Sequence, residues 1–307
     1  LEQVLIGMKN ATNTRLSLGP VQYYWPRDEL KEFYRQVADS PVDVVYLGET
    51  VCSKRRLFRF DDWMKTAGEL PEAGKEVVLS SMALLESESE LKTLRRICNN
   101  GRFRVEANDM AAVQLLSAAG LPFVTGPTVN IYNSRSLKLL AATGLYRWVM
   151  PLELSRTTLQ AIMADAPEGV ETELFAYGRL PLAMSARCYT ARAHDLPKDD
   201  CQYKCIDYPD GLALRTREDE AFLAINGIQT QSAHTHNLLP ELDDISSLGV
   251  DLVRISPQSR HTLDIIQAFH QALKGMQPDN GALDKLMPIG PCDGYWHEMP
   301  GMHNKVE

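Results

Sequence analysis

RLSLGPVQYYWPRDELKEFYRQVADSPVDVVYLGE, residues 15–49, sets an apolar strand pattern, an amphipathic helical pattern and a second β-branched run in direct succession. Residues 16–22 read as a strand, 28–38 as a helix and 42–47 as the next strand, because the apolar period changes from that of a pleated strand to that of a helix and back. The same pair recurs along the chain: helix 61–69, strand 76–79, helix 88–97, strand 103–106, helix 110–118, strand 122–124, helix 134–142, strand 146–150, helix 157–165 and strand 171–177. Residues 251–256 and 261–273 supply a last strand and helix, after a stretch from 212 to 239 that reads as irregular.

Alternation of this kind demands a parallel sheet, and about eight units suit a (β/α)8 TIM-like barrel better than an open doubly wound sheet. Ser134 and Ser155 stand where helix N-caps belong, and Gly120, Gly144 and Gly275 where C-caps belong. No G-x-G-x-x-G follows the first strand, so a dinucleotide site lacks its main signature. Residues 1–14 are expected to lie outside the fold as an extension without order. The barrel is expected over residues 15–275 with a cysteine-rich insertion at about 185–210. Residues 276–307 form a Pro/Gly-containing linker and a tail that packs back on the barrel.

The chain has 307 residues, 44% of them apolar, which is enough to bury a large core. Six cysteines are too few and too unevenly spaced for a stapled secreted scaffold, which predicts a cytoplasmic protein. The opening residues lack a sustained apolar h-region, and no run approaches the roughly 18 apolar residues of a membrane span. A net charge of −8 argues against a nucleic-acid surface and for small-molecule or protein partners.

Three of the cysteines, Cys188, Cys201 and Cys205, fall within eighteen residues, and Cys52 follows the second strand. Thiolates suit tetrahedral zinc or an iron–sulfur cluster, and the spacing, with one close pair only, leaves both open. Lys54, Arg55, Arg56, Arg187, Arg192, Lys198 and Lys204 surround these cysteines. Positive charge favours thiolates and offsets a negatively charged cluster. Cys98 reads as a half-buried helix-end residue and Cys292 as a weak fifth ligand candidate. His194 could replace a thiolate. His234 and His236 read as surface residues of a polar loop.

The run ELFAYGRLPLAMSARC, residues 173–188, resembles the signature segment of the collagenase-like peptidase (U32) family. VVYLGE (44–49), VEAND (105–109), TVNIYNSRSL (128–137) and PLELS (151–155) agree with it. SLGPVQYYWP (17–26), VCSKRR (51–56), SARCYTAR (185–192), NGIQT (226–230) and CDGYW (292–296) are similar to the family members that serve ubiquinone biosynthesis. The resemblance implies a 4Fe-4S cluster on Cys52, Cys188, Cys201 and Cys205. It also implies a heterodimer with the related subunit UbiU and oxygen-independent hydroxylation of polyprenyl ubiquinone precursors. Relatives that take oxygen from prephenate make Arg55, Arg187 and Arg192 the candidate anion-binding residues. A structural cluster in a non-catalytic partner subunit and a zinc-dependent peptidase are the alternatives. Neither G-x-S-x-G nor H-E-x-x-H is present to support peptide hydrolysis.

In a barrel, chemistry gathers at the C-terminal ends of the strands. The reading places Glu49, Glu106, Asn130, Glu153, Tyr177 and Arg254 there, with Glu49, Glu153 and Tyr177 as catalytic candidates. Tyr23, Tyr24 and Trp25 form an aromatic group that fits either a ring-binding surface or a core cluster.

Overall fold

A computed structural model describes residues 14–276 and 280–305. Strands β1 (Arg15–Leu18), β2 (Val44–Leu47), β3 (Glu76–Ser80), β4 (Arg104–Ala107), β5 (Phe123–Thr125), β6 (Leu145–Val149) and β7 (Glu171–Met184) pair in parallel in chain order. The order closes through β11 (Leu252–Ile255), which pairs in parallel with both β7 and β1. Between them run α1 (Arg27–Ala38), α2 (Phe60–Glu69), α3 (Glu88–Cys98), α4 (Met110–Ala118), α5 (Ser134–Ala141) and α6 (Arg156–Met163), while α8 (Leu242–Ser247) precedes β11 and α9 (Thr262–Leu273) follows it. The chain is a closed eight-stranded (β/α)8 barrel, as the alternation predicts.

Strand periodicity divides the core in two. Outward residues such as Leu16, Val45, Leu79, Val105, Phe123, Trp148 and Val253 meet the helices in one large apolar layer, and Val44, Tyr46, Val78, Val124, Val149 and Leu252 form a smaller cluster within the barrel. The caps act as expected: Ser155 accepts from Thr158 N, and Gly120 and Gly275 take φ of +64° and +77° past their helices. At α5 the cap is Asn133, one residue before the expected Ser134.

The barrel interior is also charged. Arg147 donates to Glu171 at 2.8 Å, to Glu76 at 3.0 Å and to the Tyr46 hydroxyl at 3.1 Å. Tyr46 in turn donates to Glu173, which also accepts from Ser17 at 2.6 Å and from Arg254 at 2.7 Å. Arg254 reaches on to Glu106 at 2.7 Å and lies 4.0 Å over the Tyr46 ring. Burial alone would push the Glu173 carboxyl up, but Arg254 and Arg147 outweigh it and hold the group below the ordinary carboxylate range.

Two expectations are corrected here. The first strand ends at Leu18 rather than at residue 22, because the last ladder bond is Gly19 N to Ile255 O and Pro20 has no N–H to continue it. Residues 212–239 are not irregular: they hold β8 (Leu212–Arg215), β9 (Ala221–Asn226) and β10 (Gln229–Asn237). These strands extend β7 beyond the barrel as an antiparallel sheet in the order β7, β10, β9, β8. The two-residue turn is Gly227–Ile228 with Gly227 at φ +64°, so a glycine at the first turn position was the available hairpin signal. His234 and His236 therefore lie on a strand, and His236 is buried.

Gly178 marks where β7 leaves the barrel. It has φ +128°, a Cβ there would stand 2.6 Å from Ser256 Cβ, and the register with β11 shifts at this point. The cysteine-rich insertion, with the short α7 (Tyr189–Ala193), lies between β7 and β8. In the tail, α10 (Asn280–Asp284) and β12 (Pro291–Cys292) pack back, β12 pairing with β10. The expected extension over residues 1–14, apart from Thr14, and linker residues 277–279, with Pro278, lie outside the described residues.

Candidate metal centre and barrel-mouth cavity

The cysteine loops are tied together by main-chain and lysine contacts. Glu49, one residue past Gly48 at the end of β2, accepts the N–H groups of Val51 and Cys52 at 2.9 Å each, which fixes the turn that presents Cys52. Ser185 N and Tyr189 N bond the carbonyls of Ile228 and Gly227 at 3.0 and 2.8 Å, so Cys188 is seated on the β9–β10 turn. Lys54 donates to the Lys198 carbonyl at 2.7 Å, and Lys198 to the Ala186 carbonyl at 2.6 Å. This joins the Cys52 loop, the Cys188 segment and the 3-10 turn that ends at Cys201.

Cys188 lies close enough to both Cys52 and Cys205 to interact electrostatically with each. Burial pushes the Cys52 thiol up to about 11, with Arg55 pulling it down, and Cys205 is likewise raised by burial and lowered by Arg55. As bare thiols these groups stay protonated at neutral pH; a soft metal that displaces the protons restores them as ligands. Cys188 Sγ accepts from Ala191 N at 3.4 Å, the kind of N–H contact that supports a metal-bound sulfur. Among the described residues, no three His, Cys, Asp or Glu side chains form the coordination sphere of a single metal ion.

Arg55 lies at the centre of this group. It is buried, donating Nη1 to the Gln22 carbonyl and Nη2 to Asn226 Oδ1 at 2.6 Å each, with Glu49 at 3.6 Å. The Tyr24 ring covers it with its centroid 5.7 Å away. These partners take both Nη atoms of Arg55 and leave its buried Nε unpaired, whereas Arg187 and Arg192 are exposed.

The wall made by Gln22 is shared with a cavity of about 260 Å³ at the C-terminal mouth of the barrel. Its polar lining includes Thr50, Glu106, Asn108, Gln229 and Arg254, and its apolar side includes Leu152, Phe175, Leu182 and Met184. Gly126 permits this arrangement, since a Cβ there would fall 1.8 Å from Asn108 Oδ1. Asn108 donates to the Ser81 carbonyl at 2.9 Å, and Glu106 accepts from Ser80 at 2.6 Å as well as from Arg254.

The other expected site residues fall in varied places. Glu49 is a loop brace, whose carboxyl burial pushes up against the pull of Arg55. Glu153 is exposed at the cavity rim, where Tyr132 donates to it at 2.9 Å, and Asn130 lines the same rim in the left-handed region at φ 58°. Tyr177 is turned away: it is buried in the outer apolar layer, edge-on to Phe269, which corrects its candidacy as a catalytic group. Tyr23 and Trp25 are core, donating to Gln231 at 3.0 Å and to the Pro209 carbonyl at 2.7 Å. His194 is engaged by Tyr208 at 2.9 Å, Cys98 is buried at the end of α3, and Cys292 is buried in β12 beside β10. Sequence reasoning missed Thr50, Asn108 and Gln229. Asn108 lies in VEAND and Gln229 in NGIQT, stretches that carried the resemblance without a role attached.

A family model described as peptidase family U32 matches residues 27–298. Among solved structures, the chain is similar to the U32 peptidase Mk0906, with 14% identity, 82% of this chain and 95% of that one covered, and a TM-score of 0.46. It is also similar to a putative dihydrodipicolinate synthetase from Pseudomonas aeruginosa, with 8% identity, coverage of 89% and 79%, and a TM-score of 0.46. A third is the dihydropteroate synthase from Thermus thermophilus, with 12% identity, coverage of 84% and 94%, and a TM-score of 0.40.

Proposed function

We propose, for a chain that belongs to peptidase family U32, an iron–sulfur rather than a peptidase role. In this reading it is the UbiV-type subunit of an oxygen-independent hydroxylase in ubiquinone biosynthesis, acting with UbiU on polyprenyl aromatic precursors. The observation that carries the reading is the gathering of the Cys52, Cys188 and Cys201–Cys205 segments around Arg55, against the wall of the barrel-mouth cavity.

The donor set fits a 4Fe-4S cluster held by Cys52, Cys188, Cys201 and Cys205. A lone zinc ion draws its sulfurs to about 2.3 Å from one point, whereas a cluster gives each thiolate its own iron. Four cysteines carried on three separate segments, with Cys188 facing both Cys52 and Cys205, suit the second case. Arg55 supplies buried positive charge beside the ligands, and the N–H of Ala191 supports Cys188. When bound, such a cluster supplies one-electron redox chemistry. The chain's own residues line a small cavity whose wall, at Gln22, is bonded to Arg55 beside the ligands. For an anionic oxygen donor such as prephenate, Arg187 and Arg192 are exposed cations on either side of Cys188, whereas Arg55 is buried with both Nη atoms bonded.

Anaerobic co-expression with UbiU, followed by assay of precursor hydroxylation without oxygen, tests the reading. Turnover that is lost in Cys201→Ala while the fold is retained supports it. Unfolding of that variant points to a structural cluster. Peptide hydrolysis dependent on zinc overturns it.

A further inference from the structure

We propose that the barrel-mouth cavity binds a neutral, oxygen-substituted ring, held by hydrogen bonds from Thr50, Gln229 and Arg254 rather than by charge. Thr50 Oγ1, Gln229 Nε2 and Arg254 Nη2 are all buried without a hydrogen-bond partner, and all three residues line this one cavity. A buried donor left unpaired forfeits its hydration without compensation, so three on one cavity mark a place that a ligand completes.

Two of the donors are fixed by the other bonds of their side chains. Gln229 Oε1 accepts from Asn226 at 3.1 Å and from Gln231 at 2.9 Å, which leaves the amide nitrogen as the free end. Arg254 uses Nε for Glu173 and Nη1 for Glu106, both at 2.7 Å, which leaves Nη2. The ligand therefore needs acceptor oxygens facing Thr50, Gln229 and Arg254.

The charge of the floor decides against an acid. Arg254 is flanked by two carboxylates, so its positive charge is spent inside the barrel before any ligand arrives. A carboxylate placed here would meet Glu106 as well as Arg254, whereas a carbonyl, hydroxyl or ether oxygen takes the same hydrogen bonds without that repulsion. Leu152, Phe175, Leu182 and Met184 supply apolar lining to the same cavity, against which a ring can pack. The inference rests on the proposed function only for the natural ligand, which would then be the aromatic head group of the precursor.

The test is a titration of the full chain, prepared anaerobically, with 2-methoxyphenol and, separately, with benzoate, followed by ligand-observed NMR. The expected result is saturable binding of 2-methoxyphenol, about tenfold weaker in Thr50→Val and in Gln229→Leu, as the loss of one hydrogen bond requires. Benzoate is expected to bind more weakly than 2-methoxyphenol. Thermal melts of both variants separate loss of the site from loss of the fold, and Thr50→Val, nearly isosteric, serves if Gln229→Leu unfolds. Tighter binding of benzoate, no saturable binding, or unchanged affinity in a folded variant overturns the inference. The visible spectrum of the same samples reports the cluster independently, so failure of the cavity and failure of the iron–sulfur reading are told apart.

Discussion

Arg55 donates Nη1 to the carbonyl of Gln22 at 2.6 Å, and that bond joins the cysteine-bearing loop to the wall of the barrel-mouth cavity. The guanidinium is planar and forked, so one side chain serves Gln22 and Asn226 while its charge faces Glu49, Cys52 and Cys205. A disturbance at the thiols thus has a direct route to the cavity.

Replacing Arg55 separates its charge from its shape. Arg55→Lys keeps the charge and loses the fork, and Arg55→Met loses both. Iron content per chain after anaerobic preparation is expected to fall further in Arg55→Met, while both variants melt earlier than the parent. Equal iron in all three proteins would show that the cation does not support the metal.

Arg254 bridges Glu106 and Glu173 in the barrel interior. Arg254→Leu leaves the buried Glu106 without its counter-ion and Glu173 with Arg147 alone, which costs about 3–5 kcal/mol by the usual effect of breaking a buried pair. Urea denaturation should show that loss. The double variant Glu106→Leu with Arg254→Leu is expected to be less unstable than the sum of its two single changes.

Gly126 allows Asn108 to approach the cavity floor. Gly126→Ala puts a methyl group 1.8 Å from the present position of Asn108 Oδ1, so the amide must move off its bond to Ser81. The expected outcome is a stability loss of about 1–3 kcal/mol together with weaker 2-methoxyphenol binding. A melt and a titration on the same preparation check both.

His236 sets a pH dependence. Its imidazole is held down to about 4 from an ordinary 6.5, chiefly by burial, so the folded chain resists a proton that the unfolded chain accepts. The contribution is fully present above about pH 6.5, declines as pH falls toward 4, and is constant below that. Its full size is of the order of 3 kcal/mol. Denaturation across this range should show a smaller slope in His236→Gln than in the parent.

The barrel was legible because β-branched runs and amphipathic helices alternate from Arg15 onward, and a sheet buried on both faces imposes that pattern. The extension of β7 was not, since Leu212–Arg215 and Ala221–Asn226 are only partly buried and carry weak alternation around a charged turn. Cys52, Cys188, Cys201 and Cys205 stood out by residue type alone. Thr50 and Gln229 did not, because a threonine or glutamine becomes a site residue only when its hydrogen-bonding partners are counted in space. Tyr177 misled for the complementary reason: a strand end names a pole of the barrel, while the side of the strand decides between cavity and core.

The central claim is an iron–sulfur centre on the four cysteines, and iron and sulfide analysis with EPR of the anaerobically purified, reduced chain tests it most directly. The account predicts about four irons and four sulfides per chain for a 4Fe-4S cluster, with the signal lost in Cys188→Ala. Zinc in place of iron, or iron and sulfide unchanged in Cys188→Ala, would contradict it.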